Sequence, residues 1–309
     1  MSVCVVGHSN PDTDSVAAAI SFANYLKATG TDAVACMQIE AAKLNPESTA
    51  VLKKFGVAAP QTLMDAAGKK VALVDFSDIG QAPANIKDAE VVAIVDHHKI
   101  GDITTNNPIL FHAQPVGCTC TVLHEMYKTN NVTLPKDVAS LMLCAILSDT
   151  VNFKSPTCTE ADKKAVAELK GIAGVTDTDS LFMEMLKAKS SIDGVPMKDL
   201  VFRDYKDFDM NGKKVGIGQL ELATVDQVAG IRADLVKALE DLKKDGRHSV
   251  LFMLTDVVKE GTDLIVVSDD NALIESAFGA KVENGSMWVN GMMSRKKQTV
   301  PPLQKAFGC

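Results

Sequence analysis

The first 190 residues alternate short apolar runs with helical patterns, and this alternation limits the possible folds more than any other feature. The apolar runs are continuous, so they predict strands buried on both faces. One intervening helix has Asn45 as its cap and Pro46 at its first position, and it stops at Gly56. Such alternation predicts an α/β fold with a parallel sheet. We predict further helices at 14–30, 118–129, 135–148, 159–170 and 178–189 and strands at 2–8, 32–38, 69–75 and 89–96.

The pattern changes after a short polar segment, "SIDGVP" (191–196), which carries a Gly and a Pro and is predicted to be a linker. Beyond it, a strand pair turning at Asn211-Gly212 predicts a hairpin. A helix at about 224–244 and two further strands, "SVLFMLTDVV" and "DLIVVS", complete the pattern. The sequence therefore predicts two domains, a parallel-sheet domain at 1–190 and a smaller mixed α/β domain at 197–309.

Composition and charge exclude several classes of function. The net charge of −7 argues against a broad surface for nucleic acid or membrane lipid. The N-terminus lacks the pattern of a signal peptide, and the longest apolar stretch, 140–147, is too short to span a membrane. Seven scattered cysteines favour reduced thiols in a cytoplasm, and Cys118 and Cys120 are expected to be packing residues.

Acidic and imidazole side chains follow three of the predicted strands at their carboxyl ends, and one more carboxylate follows an apolar helix. In open parallel sheets, ligands bind beyond the carboxyl ends of the strands. We therefore expect these side chains to converge although they are far apart in the chain. They are His8, Asp12 and Asp14 after the first strand, Asp75 after the third, Asp96, His97 and His98 at the end of the fourth, and Asp149 after the helix.

Gathering several carboxylates has an electrostatic cost, because like charges repel unless cations lie among them. Four of these carboxylates carry four negative charges, which two divalent cations would cancel, and two histidines would add neutral nitrogen donors. Such a set suits two metal ions about 3.5–4 Å apart that share one carboxylate. Mixed imidazole and carboxylate ligands favour manganese, cobalt or zinc over magnesium. The six candidate ligands are His8, Asp12, Asp14, Asp75, His97 and Asp149.

Ordinary structural roles stay open for each residue taken alone. Asp12 or Asp14 could cap the following helix, and a lone Asp at a strand end is often a turn residue. The adjacent His97 and His98 could be a partly buried pair. However, three of the six histidines of the chain fall at these strand ends, and the other three lack comparable acidic neighbours. The joint pattern therefore favours a metal site.

A second polar cluster lies near the C-terminus, in "MMSRKKQTVPPLQ" (292–304). Three adjacent cations usually form a solvated loop, but apolar residues flank this run and Pro301-Pro302 follows it, which favours an ordered loop. An arginine offers a fork that matches phosphate oxygens, and a lysine adds a point charge. One domain carrying metal ions and the other carrying Arg and Lys would form a cleft that holds a polyanion.

The motifs "GHSNPDTDS", "VDHHK", "SDT" and "SRKKQ" resemble, in order and spacing, those of family II inorganic pyrophosphatases in the DHH phosphoesterase superfamily. The resemblance covers nearly the whole chain. It implies a phosphoanhydride hydrolase that splits pyrophosphate into two orthophosphates with a metal-activated water at a dinuclear site. It also implies a DHHA2-like second domain, an active site in the cleft between the domains, and a cytoplasmic homodimer. The implied cofactors are two Mn²⁺ or Co²⁺, with additional Mg²⁺ arriving with the substrate.

The resemblance also implies roles for individual residues. Substrate phosphates are expected to bind His98, Lys206 (in "DYKDF"), Arg295 and Lys296, and His98 is expected to protonate the leaving phosphate. The expected catalytic residues are His98, Asp14 and Asp149. One metal ion is expected on His8, Asp12 and Asp75 and the other on Asp14, Asp75, His97 and Asp149, so that Asp75 is shared.

One motif departs from the family pattern. The family usually has Asp-His-Asn-Glu at the end of the third strand, whereas this chain has "DFSD" (75–78). The shared Asp75 is kept, but Phe76 replaces a polar His, which puts hydrogen bonds around the metal ligands in doubt. We expect metal affinity or turnover to differ from the usual behaviour of the family.

Two other functions stay open at this point. A DHH-type phosphoesterase acting on short oligonucleotides, cyclic dinucleotides or polyphosphate would usually carry a Gly-rich His motif in its second domain, and this sequence has "SRKKQ" instead. A non-catalytic module for metal or phosphate would need metal ions with no open coordination position. The number of Arg and Lys residues available for an anion argues against such a module.

Overall fold

The computed structural model describes residues 2–155 and 157–309, and the chain divides into two compact units, Met1–Lys189 and Ser190–Cys309. The predicted fold class is confirmed, because the first unit has a parallel sheet and the second has a smaller mixed sheet. The predicted linker packs with the second unit, where Ile192 is part of the apolar core. Among the described residues, no helix combines the length and the apolar character needed to cross a membrane.

The sheet of the first unit has six strands, all paired in parallel. In chain order they are β1 (Val3–Val6), β2 (Ala33–Met37), β3 (Gln61–Thr62), β4 (Lys70–Val74), β5 (Glu90–Asp96) and β6 (Leu110–Ala113). Across the sheet the order is β3-β2-β1-β4-β5-β6, so the direction of chain progression reverses between β1 and β4. A crevice for ligands forms at such a reversal, beyond the carboxyl ends of the strands. The four predicted strands are confirmed, whereas β3 and β6 were not predicted.

Within the described residues, six helices cover one face of this sheet, and all the predicted helices of the first unit are present. They are α1 (Thr13–Ala28), α2 (Pro46–Phe55), α3 (Thr119–Thr129), α4 (Lys136–Asp149), α5 (Glu160–Ala173) and α6 (Thr178–Lys189). Their apolar side chains pack with Val5, Val74 and Val95. The neighbouring strand residues point the opposite way, and loops and short 3₁₀ turns cover that second face.

Local sequence signals explain how two of these helices begin and end. Asn45 accepts a hydrogen bond from the Ser48 backbone N–H at 2.8 Å, and Gly56 ends α2 in the left-handed conformation, as predicted. At Gly7, a Cβ atom would lie only 1.9 Å from Ser15 Oγ. The glycine therefore lets the end of β1 approach the start of α1, which brings the strand end close to a helix N-terminus.

The second unit has a five-stranded sheet with helices on both faces. Its elements are α7 (Met197–Phe202), β7 (Tyr205–Met210), β8 (Lys213–Leu222), α8 (Arg232–Lys244), β9 (Ser249–Asp256), β10 (Gly261–Ser268), α9 (Asn271–Phe278), β11 (Ser286–Asn290) and α10 (Val300–Phe307). The strand order is β11-β10-β9-β8-β7, and only β8 and β9 pair in parallel. Apolar residues of α7 and α8 pack on one face, and those of α9 and α10 pack on the other.

The predicted hairpin is confirmed, because β7 and β8 join through Asn211 and Gly212, both with positive φ (55° and 75°). The predicted helix at 224–244 is wrong at its N-terminal end. A 3₁₀ turn, Val225–Val228, comes first, and α8 begins only at Arg232. The Gln227 side chain accepts hydrogen bonds from the backbone before the turn, and Gly230 follows it, so the helical pattern is interrupted there.

Candidate metal centre

The carboxyl ends of β1, β4 and β5 lie next to one another, and the predicted site residues surround a cavity of about 240 Å³ there. Six of them line the cavity: His8, Asp12, Asp75, His97, His98 and Asp149. The seventh, Asp14, is fully buried beside this group. The structure therefore brings together all the first-unit residues that the sequence selected as ligands.

The possible ligand atoms form overlapping groups, and within each group these atoms lie within 4.8 Å of one another. Two groups together contain the six predicted ligands: His8, Asp12 and Asp75, and Asp14, His97 and Asp149. A further group, Asp75, His97 and His98, overlaps both. Asp75 reaches both groups, because its Oδ2 lies 3.3 Å from His8 Nε2 and its Oδ1 lies 3.5 Å from His97 Nε2. This is the arrangement expected of two cation sites with a shared carboxylate.

Asp75 is held in an uncommon backbone conformation at the end of β4. Its φ of 67° lies in the left-handed region, which Asp tolerates better than most residues. Its backbone N–H donates to the Val95 carbonyl at 3.0 Å, and the Thr119 hydroxyl donates to its Oδ1 at 3.0 Å. The main chain and a side chain from α3 together fix the position of this carboxylate.

Asp14 is held by the N-terminus of α3. The backbone N–H of Thr119 donates to its Oδ2 at 2.7 Å, and that of Cys120 donates to its Oδ1 at 3.1 Å. These are among the first N–H groups of a helix, which have no carbonyl partner within the helix and favour a negative charge. The fully buried carboxylate therefore keeps hydrogen bonds without a cationic side chain.

Asp12 takes the capping role that the sequence left open. Its Oδ1 accepts the backbone N–H of Ser15 at 2.9 Å and also lies 3.6 Å from His8 Nε2. Nearby, the buried Glu47 accepts hydrogen bonds from the hydroxyls of Thr13 (2.7 Å) and Ser148 (2.5 Å). Through Glu47, the start of α1 is tied to the end of α4, where Asp149 lies.

The two adjacent histidines have different environments. His97 Nδ1 lies 2.9 Å from the Val116 carbonyl oxygen, which only an N–H can approach in this way, so Nε2 is the atom available to a metal ion. His98 Nδ1 lies 3.0 Å from Asp96 Oδ1, and 52 % of its side chain is exposed. The rings meet edge to face with centroids 4.1 Å apart. His98 is therefore the histidine that faces solvent.

The carboxylates of this cluster resist ionising together when no cation is present. Burial, and then the nearby charge of Asp75, raise the pKa of Asp14 to about 6. Burial and the charge of Asp14 raise the pKa of Asp149 well above its ordinary value. Each additional negative charge in this cavity is therefore costly until a positive charge enters it.

The nearby carboxylates also raise the pKa values of the histidines, which favours their positively charged form. Burial lowers the pKa of His8, but hydrogen bonds and charge from Asp12 and Asp75 outweigh burial and raise it to about 10. Burial is likewise outweighed at His97, where Asp75 and Asp14 raise the pKa to about 9. Protons thus supply the positive charge in the metal-free protein. Divalent cations suit the same mixed oxygen and nitrogen donors, so the residues fit a manganese-type centre.

The residues of the "DFSD" departure have structural roles. Phe76 is 1 % exposed and packs in the apolar layer on the second face of the sheet. Ser77 Oγ accepts the Gly101 backbone N–H at 2.9 Å, and Asp78 Oδ1 accepts that of Gly80 at 2.7 Å. Phe76 therefore packs in the apolar layer, where the polar His usual in the family would offer a hydrogen bond.

Cys118 and Cys120 are fully buried in the core of the first unit, in agreement with their predicted packing role. Their Sγ atoms and a carboxylate oxygen of Asp14 also lie within 4.8 Å of one another. Burial raises the pKa of both thiols well above the ordinary value, which favours the neutral form. A neutral thiol is a poor ligand for a hard cation.

In the second unit, Arg295 opens a five-residue π-helical turn, Arg295–Thr299, that Ser294 caps. Its guanidinium donates to the Asp204 side chain and carbonyl, each at 2.6 Å. Lys206 is exposed on β7 with its Nζ 5.8 Å from the centre of the Phe208 ring. The predicted ordered loop is confirmed, whereas the side chain of Lys296 lies outside the part that the structure describes.

Lys206 and Arg295 lie near each other within this unit. Lys206 pairs in register with Ile217, and the Ile217 carbonyl accepts a hydrogen bond from Arg295 Nη1 at 3.3 Å. The Gln298 side chain braces the same loop, because its Oε1 accepts the backbone N–H groups of Met293 (2.9 Å) and Ser294 (3.0 Å). Two of the cations that the sequence selected are therefore neighbours.

Sequence reasoning missed the groups that support these residues. Val116 offers only a carbonyl, and Thr119 and Cys120 offer mainly backbone N–H groups, so no residue type signals their roles. Asp96 was noted only as a strand-end acid, and Asp204 was given no role although it opens the motif quoted for Lys206. The one available signal was the position of "GCTC" (117–120) at the predicted start of α3, where free N–H groups attract an anion.

Family models match both units of the chain. Residues 2–146 match the DHH family, N-terminal domain, and residues 183–306 match the DHHA2 domain. Together these two matches cover most of the chain.

Full-length relatives and a solved structure are also similar to it. An Archaeoglobus fulgidus protein assigned as a manganese-dependent inorganic pyrophosphatase is 49 % identical, covering 99 % of this chain and 98 % of the relative. The manganese-dependent inorganic pyrophosphatase of Methanothrix thermoacetophila is 47 % identical over the same shares. A crystal structure from Methanococcus jannaschii, of a protein assigned to the family II inorganic pyrophosphatases, is 43 % identical with a TM-score of 0.62, covering 99 % of each chain.

Proposed function

Because the chain belongs to the manganese-dependent family II inorganic pyrophosphatases, we propose that it hydrolyses inorganic pyrophosphate to two orthophosphates at a dinuclear metal centre. The observation that carries the proposal is the shared position of Asp75 between two groups of ligand atoms. A single structural cation would need only one of these groups, whereas two-metal hydrolysis of phosphate bonds uses a bridging ligand.

The proposal assigns one manganese ion to His8, Asp12 and Asp75 and the other to Asp14, Asp75, His97 and Asp149. Bound divalent cations supply Lewis-acid chemistry there, since they acidify water and offset negative charge on phosphoryl oxygens. Cobalt is expected to substitute, because it accepts the same donors, and magnesium is expected to accompany the substrate. Asp14 and Asp149 are catalytic in the sense that they hold the cofactor.

His98 is proposed to bind a phosphate and to protonate the leaving one. The hydrogen bond to Asp96, followed by the opposing effect of burial, leaves the pKa of His98 above its ordinary value, which favours the protonated ring. Asp96 occupies Nδ1, so the proton passes from Nε2 to the oxygen of the departing phosphate. The exposed position of the ring leaves this nitrogen accessible to an anion.

Three cations of the second unit are proposed to bind the phosphate oxygens. Arg295 offers two N–H groups on one edge of its guanidinium, and Lys206 and Lys296 add point charges. These groups offset the charge that develops on equatorial and leaving oxygens during phosphoryl transfer. Support comes from the neighbouring positions of Lys206 and Arg295 in the fold.

A homodimer and a cytoplasmic location complete the proposal. β6 is the last strand in the sheet order of the first unit, and it exposes 44 % of Leu110 and 45 % of Phe111. An edge strand with exposed apolar residues is a typical surface for pairing with a second copy. All seven cysteines are free thiols, as expected in a reducing compartment, and the net charge of −7 disfavours nucleic acid as a partner.

The test is a matrix of metals and substrates with phosphate release as the readout. The purified protein with manganese is expected to release phosphate from pyrophosphate much faster than from tripolyphosphate, a dinucleotide or a cyclic dinucleotide. Asp75→Ala should lower the rate by at least about 10³-fold. Asp32→Ala, at an exposed position just before β2 and at the opposite end of the strands, serves as the matched control and should keep full activity.

Three results would contradict the proposal or part of it. Faster turnover of a dinucleotide or tripolyphosphate would assign the chain to another phosphoesterase activity. Tight manganese binding without turnover of any phosphoanhydride would indicate a binding module. Undiminished activity of Asp75→Ala would instead remove the shared carboxylate from the mechanism.

A further inference from the structure

Hydrogen bonds from Nη1 and Nη2 hold one edge of the Arg295 guanidinium. Nη1 donates to the Asp204 carbonyl (2.6 Å) and to the Ile217 carbonyl (3.3 Å), and Nη2 donates to Asp204 Oδ1 (2.6 Å). Three of the five N–H groups of this side chain are therefore engaged. Nε–H and the second N–H of Nη2 have no acceptor among residues 2–155 and 157–309.

The two remaining N–H groups lie on the same edge of the planar guanidinium. This edge, formed by Nε and Nη2, is one of the two that can donate in parallel to a pair of phosphate oxygens. Asp204 contacts the other edge, formed by Nη1 and Nη2. Its carboxylate therefore orients the guanidinium without occupying the fork that an anion would use.

The backbone of Arg295 is held as well as the side chain. The Arg295 N–H donates to Gln219 Oε1 at 3.3 Å, and the Gln219 side-chain amide donates to Thr255 Oγ1 (3.0 Å) and to the Met293 carbonyl (3.1 Å). Gln219 is buried on β8, so it fixes the start of the turn that carries Arg295. The side-chain clamp thus acts on a residue whose backbone position is already defined.

We propose that Asp204 is a positioning residue for pyrophosphate binding, which holds Arg295 so that its Nε and Nη2 groups face the substrate phosphate as a preformed fork. This inference rests on the proposed function, because it takes Arg295 to be a phosphate ligand. A free arginine side chain loses rotamer freedom when it binds an anion, and a side chain ordered in advance avoids that loss. Asp204 is itself half exposed, so its charge is well solvated and competes little with the substrate.

Within the described residues, Lys206 has no carboxylate that orients it as Asp204 orients Arg295. Its Nζ lies 5.8 Å from the centre of the Phe208 ring, a contact that sets no direction for an individual N–H group. A point charge tolerates changes of orientation, whereas a fork must meet two oxygens at once. The cation with directional requirements is therefore the one that carries a dedicated carboxylate.

Graded substitutions test the proposal. Asp204→Asn keeps an acceptor oxygen and loses the charge, and Asp204→Ala loses both. The expected result is a rise in KM for pyrophosphate of about tenfold in Asp204→Ala and about threefold in Asp204→Asn, with kcat within about twofold of the parent. Manganese affinity, measured in the same preparations, should not change. Asp263→Asn is the matched control, because Asp263 pairs with Arg232 at the same 2.6 Å distance in the same unit, and its KM should equal that of the parent.

A double-substitution cycle separates positioning from general stabilisation. Lysine has no fork, so Asp204→Ala should have no further effect on KM in an Arg295→Lys background. Binding of imidodiphosphate to the manganese-loaded protein, measured by calorimetry, should weaken by the same factors as KM rises. The melting temperature of each variant confirms that it is folded.

Three results would overturn the proposal. The first is that KM and imidodiphosphate affinity stay unchanged in Asp204→Ala. The second is that imidodiphosphate affinity rises, which would mean that Asp204 competes with the substrate. The third is that Asp204→Ala raises KM by the same factor in the Arg295→Lys background. If the parent protein binds imidodiphosphate but does not hydrolyse pyrophosphate, the proposed function fails, whereas the binding measurements still decide the role of Asp204.

Discussion

The two units of the molecule organise charge in opposite ways. In the first unit, Asp14, Asp75 and Asp149 converge, and within the described part of the chain none of them pairs with a lysine or an arginine. Their partners are histidines, a threonine hydroxyl and backbone N–H groups. These contacts orient the carboxylates, and in the metal-free protein only the protons on His8 and His97 offset their charge.

The second unit pairs three of its arginines with carboxylates. Arg295 pairs with Asp204, and Arg247 pairs with both oxygens of Asp207 at 2.8 and 2.9 Å. Even the exposed Lys206 lies against an aromatic ring. Carboxylates that converge without a lysine or arginine, as in the first unit, indicate a site that binds cations. An arginine already paired with a carboxylate, as in the second unit, indicates a surface that presents N–H donors to a ligand.

The largest expected effect is the difference in kcat/KM between a substitution in the first unit and one in the second. His97→Ala should lower kcat/KM for pyrophosphate by at least about 10³-fold, because one of the proposed metal ligands is lost. Lys206→Ala should lower it by only about tenfold, mostly through KM, because one solvated charge is lost. His112→Ala provides the matched control, since His112 lies on β6 and, among residues 2–155 and 157–309, its ring forms a hydrogen bond only with Gln114. Similar losses in His97→Ala and Lys206→Ala would remove the distinction between the two regions.

The next largest effect is on stability. An ion that binds only the folded state stabilises it by about 4 kcal/mol at a thousandfold excess over Kd. Manganese should therefore raise the melting temperature of the metal-free protein by about 10 °C, whereas imidodiphosphate alone should raise it by no more than about 2 °C. Hydrogen exchange should show new protection at the carboxyl ends of β1, β4 and β5. Protection that appears mainly in Ser190–Cys309 would contradict the comparison.

Much of this arrangement could be predicted from the sequence, because apolar periodicity and capping residues act locally. The strand ends that carry Asp75 and His97, the Asn45 cap and the hairpin at Asn211-Gly212 were all predicted. The ligand grouping needed only the rule that parallel strands end at one edge. These features depend on residue type and chain direction, both of which the sequence displays.

The remainder depends on contacts between distant residues. The interruption before α8 comes from Gln227 bonding to the preceding backbone, and β6 is a strand only because β5 lies beside it. The left-handed conformation of Asp75 and the clamp of Asp204 on Arg295 involve ordinary residue types in unusual positions. Sequence patterns carry no direct signal for such contacts.

A smaller effect concerns pH. The pKa values of about 10 for His8 and about 9 for His97 mean that both rings are protonated at neutral pH in the metal-free protein. A metal ion binds only the neutral ring and the ionised carboxylate, and the pKa of Asp149 is also raised, so binding should release at least about one proton per ion at about pH 7.5. Manganese affinity should therefore rise with pH up to about pH 9, by as much as about tenfold per pH unit. Calorimetry in buffers of different ionisation enthalpy measures the proton release, and an affinity independent of pH would show that the histidines are not ligands.

The smallest effect tests the loop that carries Arg295. Gln298→Ala removes the side chain that accepts the N–H groups of Met293 and Ser294 and donates to the Gly291 carbonyl. These bonds are exposed, so each contributes about 0.5–1 kcal/mol, and KM should rise by about three- to fivefold with manganese affinity unchanged. Gln304→Ala, on the exposed side of α10, is the control. An equal change in manganese affinity would indicate that the loop affects the metal ligands.

We propose that the first unit holds two manganese ions that share Asp75, and anomalous diffraction from a crystal grown with manganese can locate them. Two anomalous peaks per chain are expected, about 3.5–4 Å apart, one beside His8 and the other beside His97. A single peak, or two peaks that Asp75 does not join, would rule out the shared site.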